Sequence, residues 1–390
     1  MKTLCHDSAN DIPDNDWVAL TQGDDPFASR AFLGTVEEVD AGGTVMGWQA
    51  RHLSVRDDNH QLLGLLPMYL RSHSFGDFSR DWGWAAAWQR AGLNYYPKLV
   101  SGIPYTPSPG PRLLVRDGIE REPVTAALIT GALDLLRESG ASSWQCLFVE
   151  DRDRTALEAA GLLMRRGVHF HWQNRGYQNF DDFLAGFTAA KRKKLKRERR
   201  AVHESGLRLE VRHGDEIDPP LWQAIHRHYR DTFVRYGNHP AFPLTFFAQV
   251  GARLGRRMVV FVAFDGMNAV ASAICYRDTS TLYGRHWGCD IDVPGLHFEL
   301  CFHQGIEYAI THGLQRFEPG AQGEHKLARG FEPVPTWSGF WVEHPGMRRA
   351  VADFIQREDA AMQDYEAETA AHLPFKTFST ASTPSTHQAD

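Results

Sequence analysis

Between Lys191 and Arg200, ten consecutive residues carry eight cationic side chains and one carboxylate, Glu198. Lys193, Lys194 and Arg197 lie at the centre of the block. Such a concentration attracts phosphates, whether on coenzyme A, tRNA, a nucleotide-linked lipid precursor or an anionic membrane surface. Like charges crowded on a helix destabilise it, so the block needs something to offset it. A second concentration is residues 317–331, FEPGAQGEHKLARGF. Here Gly320 and Gly323 would let backbone approach a ligand closely, with Gln322 between them. Glu324 and His325 are side chains able to take a proton, and Lys326 and Arg329 are able to hold an anion. A third is Tyr283–Cys289, with Arg285, His286 and Trp287, followed by a helix bearing His297, Glu299, His303 and Glu307. Glu299, His303 and Glu307 share one helical stripe. That spacing matches no established ligand pattern and HExxH is absent, so no metal is expected. A fourth group, Trp82, Trp84, Tyr95, Tyr96 and Lys98, mixes aromatic faces with polar tips, as the lining of a sugar, peptide or acyl groove would. The chain has no GxxxxGK[ST], no GxSxG and no convincing GxGxxG, which removes the usual support for nucleotide or serine hydrolysis.

The background to these clusters is an ordinary globular composition. Of 390 residues 43% are hydrophobic, and the net charge of −6 excludes a whole-protein nucleic-acid footprint. Five cysteines without a CxxC suggest a reducing compartment. The acidic N-terminus has no apolar leader, and no apolar run approaches the ~18–20 residues of a membrane span. A cytoplasmic protein is expected.

The elements that must position the clusters follow from periodicity. Residues 29–38 read as a helix capped by Ser29, and Trp48–Arg56 with Gln61–Arg71 as a hairpin. Residues 75–112 show no regular period. Residues 122–139 read as a helix and Ser142–Glu150 as a buried strand. Further on come a strand at Phe170–Arg175 and one long helix from Asn179 through the basic block, anchored by Phe180, Phe183 and Phe187. Helices at 219–236 and 243–254 precede three antiparallel strands, then a helix at 296–312, strands at 315–319 and 337–342, and a helix at 346–368. The two halves repeat a hairpin, an aromatic segment, a helix and a buried strand, which points to a duplicated α/β unit. The expected division is a partly ordered segment 1–28, domains 29–164 and 165–370 with the basic helix at 180–205, and a disordered tail 371–390.

The block AAKRKKLKRERR at 189–200, together with GEHKLARGF at 323–331 and Trp337-Ser338-Gly339, resembles the Fem-like branch of the GNAT superfamily. The specific likeness is to bacterial N-acyltransferases labelled peptidoglycan biosynthesis or recognition proteins. Trp82-Gly83-Trp84, Tyr95-Tyr96-Pro97-Lys98, residues 170–177 and Tyr283–Cys289 carry the likeness further, over about 29–360. The resemblance implies an α/β (α+β) fold of tandem GNAT-like domains with mixed, mostly antiparallel sheets. It implies acyl or aminoacyl transfer from acyl-CoA or aminoacyl-tRNA, a co-substrate and not a permanently bound cofactor, to an amine such as that of a peptidoglycan precursor. The usual [QR]xxGx[GA] loop is not evident. Within that reading Glu324 or His325, with Glu299 and His297 behind them, are the expected bases. Lys326, Arg329, Arg285, His286, Trp287 and Gln322, the basic helix and the 82–98 aromatics are the expected binding groups. The alternative is a non-catalytic binding protein for cell-wall precursor or RNA on the same scaffold.

Overall fold

The computed structural model describes residues 1–21, 24–39, 46–321 and 323–376, without the side chains of Thr21 and Glu324. Among them eleven strands form one sheet. Their order across it is Arg208–His213, Met258–Asp265, Asn268–Arg277, Thr281–Cys289, Arg316–Glu318, Leu163–Gln173, Glu332–Val342, Ser143–Val149, Lys98–Ser101, Tyr69–Arg71 and Trp48–Ala50. Lys2–His6, His52–Arg56, Leu62–Leu66 and Leu114–Val115 form a smaller sheet. Both sheets are mostly antiparallel, as expected.

Two pairs in the large sheet are parallel: Leu99–Ser101 with Trp144–Cys146, and Thr281–Tyr283 with Arg316–Glu318. A parallel pair requires a crossover. The first is made by the helix Arg121–Glu138, the second by helical turns from Leu296 to Thr311. Each half of the chain thus contains one strand–helix–strand crossover, which is part of the repeat of hairpin, aromatic segment, helix and buried strand expected from the sequence. The halves do not sit apart. The strand Leu163–Gln173, in which the expected boundary at 165 falls, pairs with both Arg316–Glu318 and Glu332–Val342. Glu332–Val342 in turn pairs with Ser143–Val149.

Four local expectations are corrected. The N-terminal segment is built in: Lys2–His6 pairs with His52–Arg56, and Trp17 and Phe27 are buried with Phe32, Tyr229, Phe246 and Tyr276 of both halves. Each such side chain contributes about 1.5–3 kcal/mol on burial, enough to order a polar segment. Residues 75–112 contain the helix Trp82–Arg90, whose buried Trp84 and Trp88 stand four apart, and the strand Lys98–Ser101. The single long helix is two, Phe180–Ala185 and Ala189–His203. They are separated where Phe187 turns fully inward and the Thr188 amide donates to the Pro374 carbonyl at 3.1 Å. The last strand starts earlier than expected, at Glu332. Pro333 and Pro335 are tolerated because this stretch pairs only with Leu163–Gln173, and Ser143–Val149 joins from Trp337 onward. Among the described residues no helix is long and apolar enough to cross a membrane. The five cysteines are free.

Candidate active site

The strand Thr281–Cys289 continues after its parallel partner has ended at Glu318, so the two part beyond Tyr283. Register slips just there: Cys275 faces Gly284, but Ile274 faces His286, leaving Arg285 as the extra residue. A bulge re-aims the side chain it carries. Arg285 Nη2 donates to Glu318 Oε1 at 2.8 Å, and Ser108 Oγ donates to Glu318 Oε2 at 2.7 Å. Further along, the helix Pro219–Arg235 lies so close that a Cβ at Gly288 would stand 1.9 Å from the His228 carbonyl oxygen. Only glycine fits that approach.

A cavity opens on each face of the parted strands, and Arg285 and His286 line both. The larger, about 470 Å³, is walled by Phe78, Tyr105, Tyr229, Phe233 and Phe242, with Arg80 and His169. The smaller, about 210 Å³, lies under Trp287, His297, Cys301, Phe302, His325 and Lys326. Beyond His169 and Ala321 the larger cavity meets a third, about 440 Å³, where Arg80 appears again beside Arg165 and Arg166. Arg165 is paired with Glu358, and Arg166 with Asp359 and Glu366. Arg80 is exposed and has no ion pair among the described residues.

The backbone is strained around the larger cavity. Phe78, Arg80, Tyr105 and Phe148 have φ of 61°, 52°, 55° and 54°, and all four line it. A non-glycine residue in this region costs about 1–3 kcal/mol and persists only where its surroundings impose it. For Phe78 and Arg80 the surroundings include a buried lysine. Lys98, with no exposed side-chain surface, pairs with Asp77 at 2.9 Å and Asp81 at 2.5 Å, and donates to Ser74, Ser79 and Gln145. The loop from Ser74 to Asp81 is thereby fastened at four points.

Behind the stretch of cavity wall that His169 supplies, the side-chain nitrogens of His169 and His171 and a Glu318 oxygen lie within 4.8 Å of one another. Both Glu318 oxygens already accept from Arg285 and Ser108, so the donor set is a buried ion pair flanked by imidazoles, not a vacant ligand set for a metal. His169 Nδ1 and His171 Nε2 have no hydrogen-bond partner among the described residues. Burial pushes the His169 imidazole down to about 3 and His171 to about 4, against the opposing pull of Glu318. Burial alone would raise the Glu318 carboxyl, but the Arg285 guanidinium foremost outweighs it and holds it below the usual range. Lys326, which donates to the Gly320 carbonyl, is pushed by burial down to about 8.

Several residues singled out in the sequence converge here. Arg285, His286, Trp287, His297, His325 and Lys326 all line the smaller cavity. Gln322 and the Glu324 side chain lie outside the described residues. Arg329 borders the cavity: it pairs with Glu198 of the basic helix at 3.1 Å, donates to the His325 carbonyl and covers the Phe298 ring. Other choices do not reach a cavity. Glu299 is fully buried and held by Arg199, His303 and Gln304, so it offsets the basic helix. Trp84 packs on Phe340 and Phe354, Trp82 points outward at 59% exposure, and the Tyr96 hydroxyl meets Ser74. Tyr95 and Lys98 belong to the fastening network. On the basic helix Leu195 and Val202 are buried, whereas Lys193, Lys194 and Arg197 are exposed. The sequence reading gave no role to His169, His171, Glu318, Ser108, Phe78 and Arg80, although Glu318 and His171 lie in stretches it singled out. For the histidines the available signal was the alternation His169-Phe170-His171-Trp172, which puts both imidazoles on one strand face.

A family model described as FemAB-like peptidoglycan biosynthesis/recognition matches residues 8–377. Among solved structures, FemX is similar at a TM-score of 0.55 and 12% identity, over 90% of this chain and 100% of that one. The C-terminal domain of a putative lysylphosphatidylglycerol synthetase from Agrobacterium fabrum is similar at 0.52 and 10% identity, over 87% of this chain and 96% of that one. No curated protein matches the chain significantly.

Proposed function

The chain belongs to the FemAB-like peptidoglycan biosynthesis/recognition family, and from that premise we propose that it is an N-acyltransferase working at the parted strands. The observation carrying this reading is the gap beyond Tyr283 and Glu318, with one cavity on each face and shared walls at Arg285 and His286. Such a gap lets two substrates meet from opposite sides of a sheet. The acyl end of acyl-CoA or aminoacyl-tRNA occupies the smaller cavity. Its phosphates lie on the exposed cations of the Ala189–His203 helix, which Arg329 ties to the cavity rim. The acceptor amine, that of a peptidoglycan precursor, enters the larger cavity, where unpaired Arg80 suits an anionic group on the same molecule.

An ammonium must lose a proton before it attacks. In the proposed step the proton passes to the imidazole of His169, which lines the cavity and whose buried Nδ1 has no hydrogen-bond partner among the described residues. Glu318 stabilises the resulting imidazolium, as its opposing effect on the His169 imidazole indicates. The nitrogen forms its bond to the acyl carbon, and the Lys326 ammonium faces the oxyanion. Collapse breaks the thioester or ester bond, and the thiol or ribose hydroxyl leaves with a proton. General-base assistance of this kind contributes about 10²–10⁴-fold. A binding-only role is the second reading, favoured by the low basicity of His169. Donor class is tested by thermal shift with acyl-CoAs and aminoacyl-tRNAs, since a ligand held by the folded state stabilises it by mass action. A shift lost in K193E/K194E/R197E supports the placement. Stabilisation by neither donor overturns it.

A further inference from the structure

The larger cavity and the third one differ in character and share Phe78, Arg80, His169 and Ala321 in their walls. The larger is aromatic. Tyr229, Phe233 and Phe242 pack round His286 at ring-centroid distances of 4.8, 6.3 and 5.9 Å. Burial pushes the His286 imidazole down to about 3, so it adds a neutral ring to that wall. Among the described residues the charged groups of this wall are Arg80 and Arg285, and Arg285 is engaged by Glu318. The third cavity is polar. Ser79, Thr336 and Ser338 bring hydroxyls to it, and Arg80, Arg165 and Arg166 stand in its wall against one described carboxylate, Glu358. Carboxylates hold Arg165 and Arg166, whereas Arg80 has no ion pair among the described residues.

Apolar walls take hydrocarbon, and a guanidinium without a carboxylate takes an anion. A ligand reaching both cavities is therefore apolar on one side and anionic on the other. An α-amino acid has that pattern about a single carbon, which carries the apolar side chain, the carboxylate and the amine. We propose that hydrophobic α-amino acids are a further acceptor class of this site. The side chain occupies the aromatic cavity, the carboxylate turns to Arg80, and the amine lies at the shared wall with His169. Lysine would instead bury a second ammonium in the aromatic cavity, where no described carboxylate lines the wall. This acceptor class rests on the acyl-transfer reading for its chemistry. The α-ammonium gives a proton to His169, and its nitrogen bonds the acyl carbon. The thioester or ester bond then breaks, and the thiol or ribose hydroxyl leaves with a proton. The products are an N-acyl amino acid, the free thiol or hydroxyl and one proton.

Ligand class can be tested apart from turnover, by calorimetric titration of the full chain with phenylalanine, leucine, lysine and phenethylamine, which lacks the carboxylate. Saturable binding of phenylalanine and leucine is expected, with lysine and phenethylamine about tenfold weaker or more. R80M, a change at an exposed side chain, should weaken phenylalanine about tenfold and leave phenethylamine unchanged. Lysine or phenethylamine binding as tightly as phenylalanine, no saturable binding of the hydrophobic amino acids, or unchanged phenylalanine affinity in folded R80M would each overturn the class. Where phenylalanine binds as expected, mass spectrometry for N-acylphenylalanine formed from the stabilising donor tests the chemistry. Its appearance supports both readings, and its absence overturns acyl transfer while the ligand class stands.

Discussion

The two crossovers of the large sheet start from the same architecture and end differently. In the first half the gap beside Leu99–Ser101 is filled. Lys98 is surrounded by Ser74, Ser79, Asp77, Asp81 and Gln145, and Trp88, Tyr95 and Trp144 close the space around it. In the second half the gap beside Thr281–Tyr283 stays open. Beside its ion pair, Arg285–Glu318, stand imidazole nitrogens without partners among the described residues and a lysine that burial pushes down to about 8. The Lys98 network is charge-paired and closely packed, with Asp81 Oδ1 left without a hydrogen-bond partner among the described residues, and so fixes structure, whereas the looser second network retains capacity for a ligand or a proton. The first half, through Lys98, fastens the loop whose Phe78 and Arg80 wall the second half's cavity. The first crossover thus supports the loop that walls the second.

The contrast can be broken most severely at Lys98. K98M leaves Asp77 and Asp81 buried without their cation and should cost about 3–5 kcal/mol in denaturant unfolding. E318Q should cost less, about 1–3 kcal/mol, because the amide keeps an oxygen to accept from Arg285 or Ser108 although both charge-assisted bonds are weakened. Its larger effect should be on turnover, lowered about 10²-fold or more if Glu318 supports the base. A stability loss in E318Q equal to that in K98M would erase the distinction between the two halves.

Titration sharpens the same comparison. His169 and His171 fall from 6.5 to about 3 and about 4 in the folded state, so the unfolded chain binds more protons between those values. Stability should therefore fall as pH drops below about 6.5, and H169Q/H171Q should flatten that limb of a pH series of unfolding curves. Lys326 falls from 10.5 to about 8, so the unfolded chain again holds more protons, and stability should rise with pH across that window. K326M should remove the rise. The smallest stability effect is expected on the basic helix. K193E/K194E/R197E should change unfolding free energy by only about 0.5 kcal/mol, because these side chains are exposed. It should nonetheless flatten the salt dependence of phosphate-donor binding.

Much of the fold was legible because periodic elements announce themselves. Ser29 caps its helix, and the three strands from Met258 to Cys289 pair antiparallel as read. The helix Trp82–Arg90 was hidden because Gly83 and three successive alanines blur its apolar period. The break before Ala189 was hidden because it depends on Phe187 packing and on a bond to Pro374, far away in sequence. At the site, the sequence pointed to Arg285, His286, His325 and Lys326, which lie on one strand and one loop. It could not show that Ser108 from the first half and His169 from the central strand join Glu318, since nothing local links positions so distant. Lys98 and Tyr95 were noticed for the right residue types. Their chemistry is spent on holding a loop.

The claim that the parted strands are the reaction centre meets its most direct test in H169Q. The folded variant and wild type would be compared in single-turnover transfer from the donor that stabilises the protein, with the acylated amine followed by mass spectrometry. Transfer slowed about 10²–10⁴-fold, with donor affinity and unfolding midpoint retained, is the predicted result. Wild-type transfer in folded H169Q would contradict it.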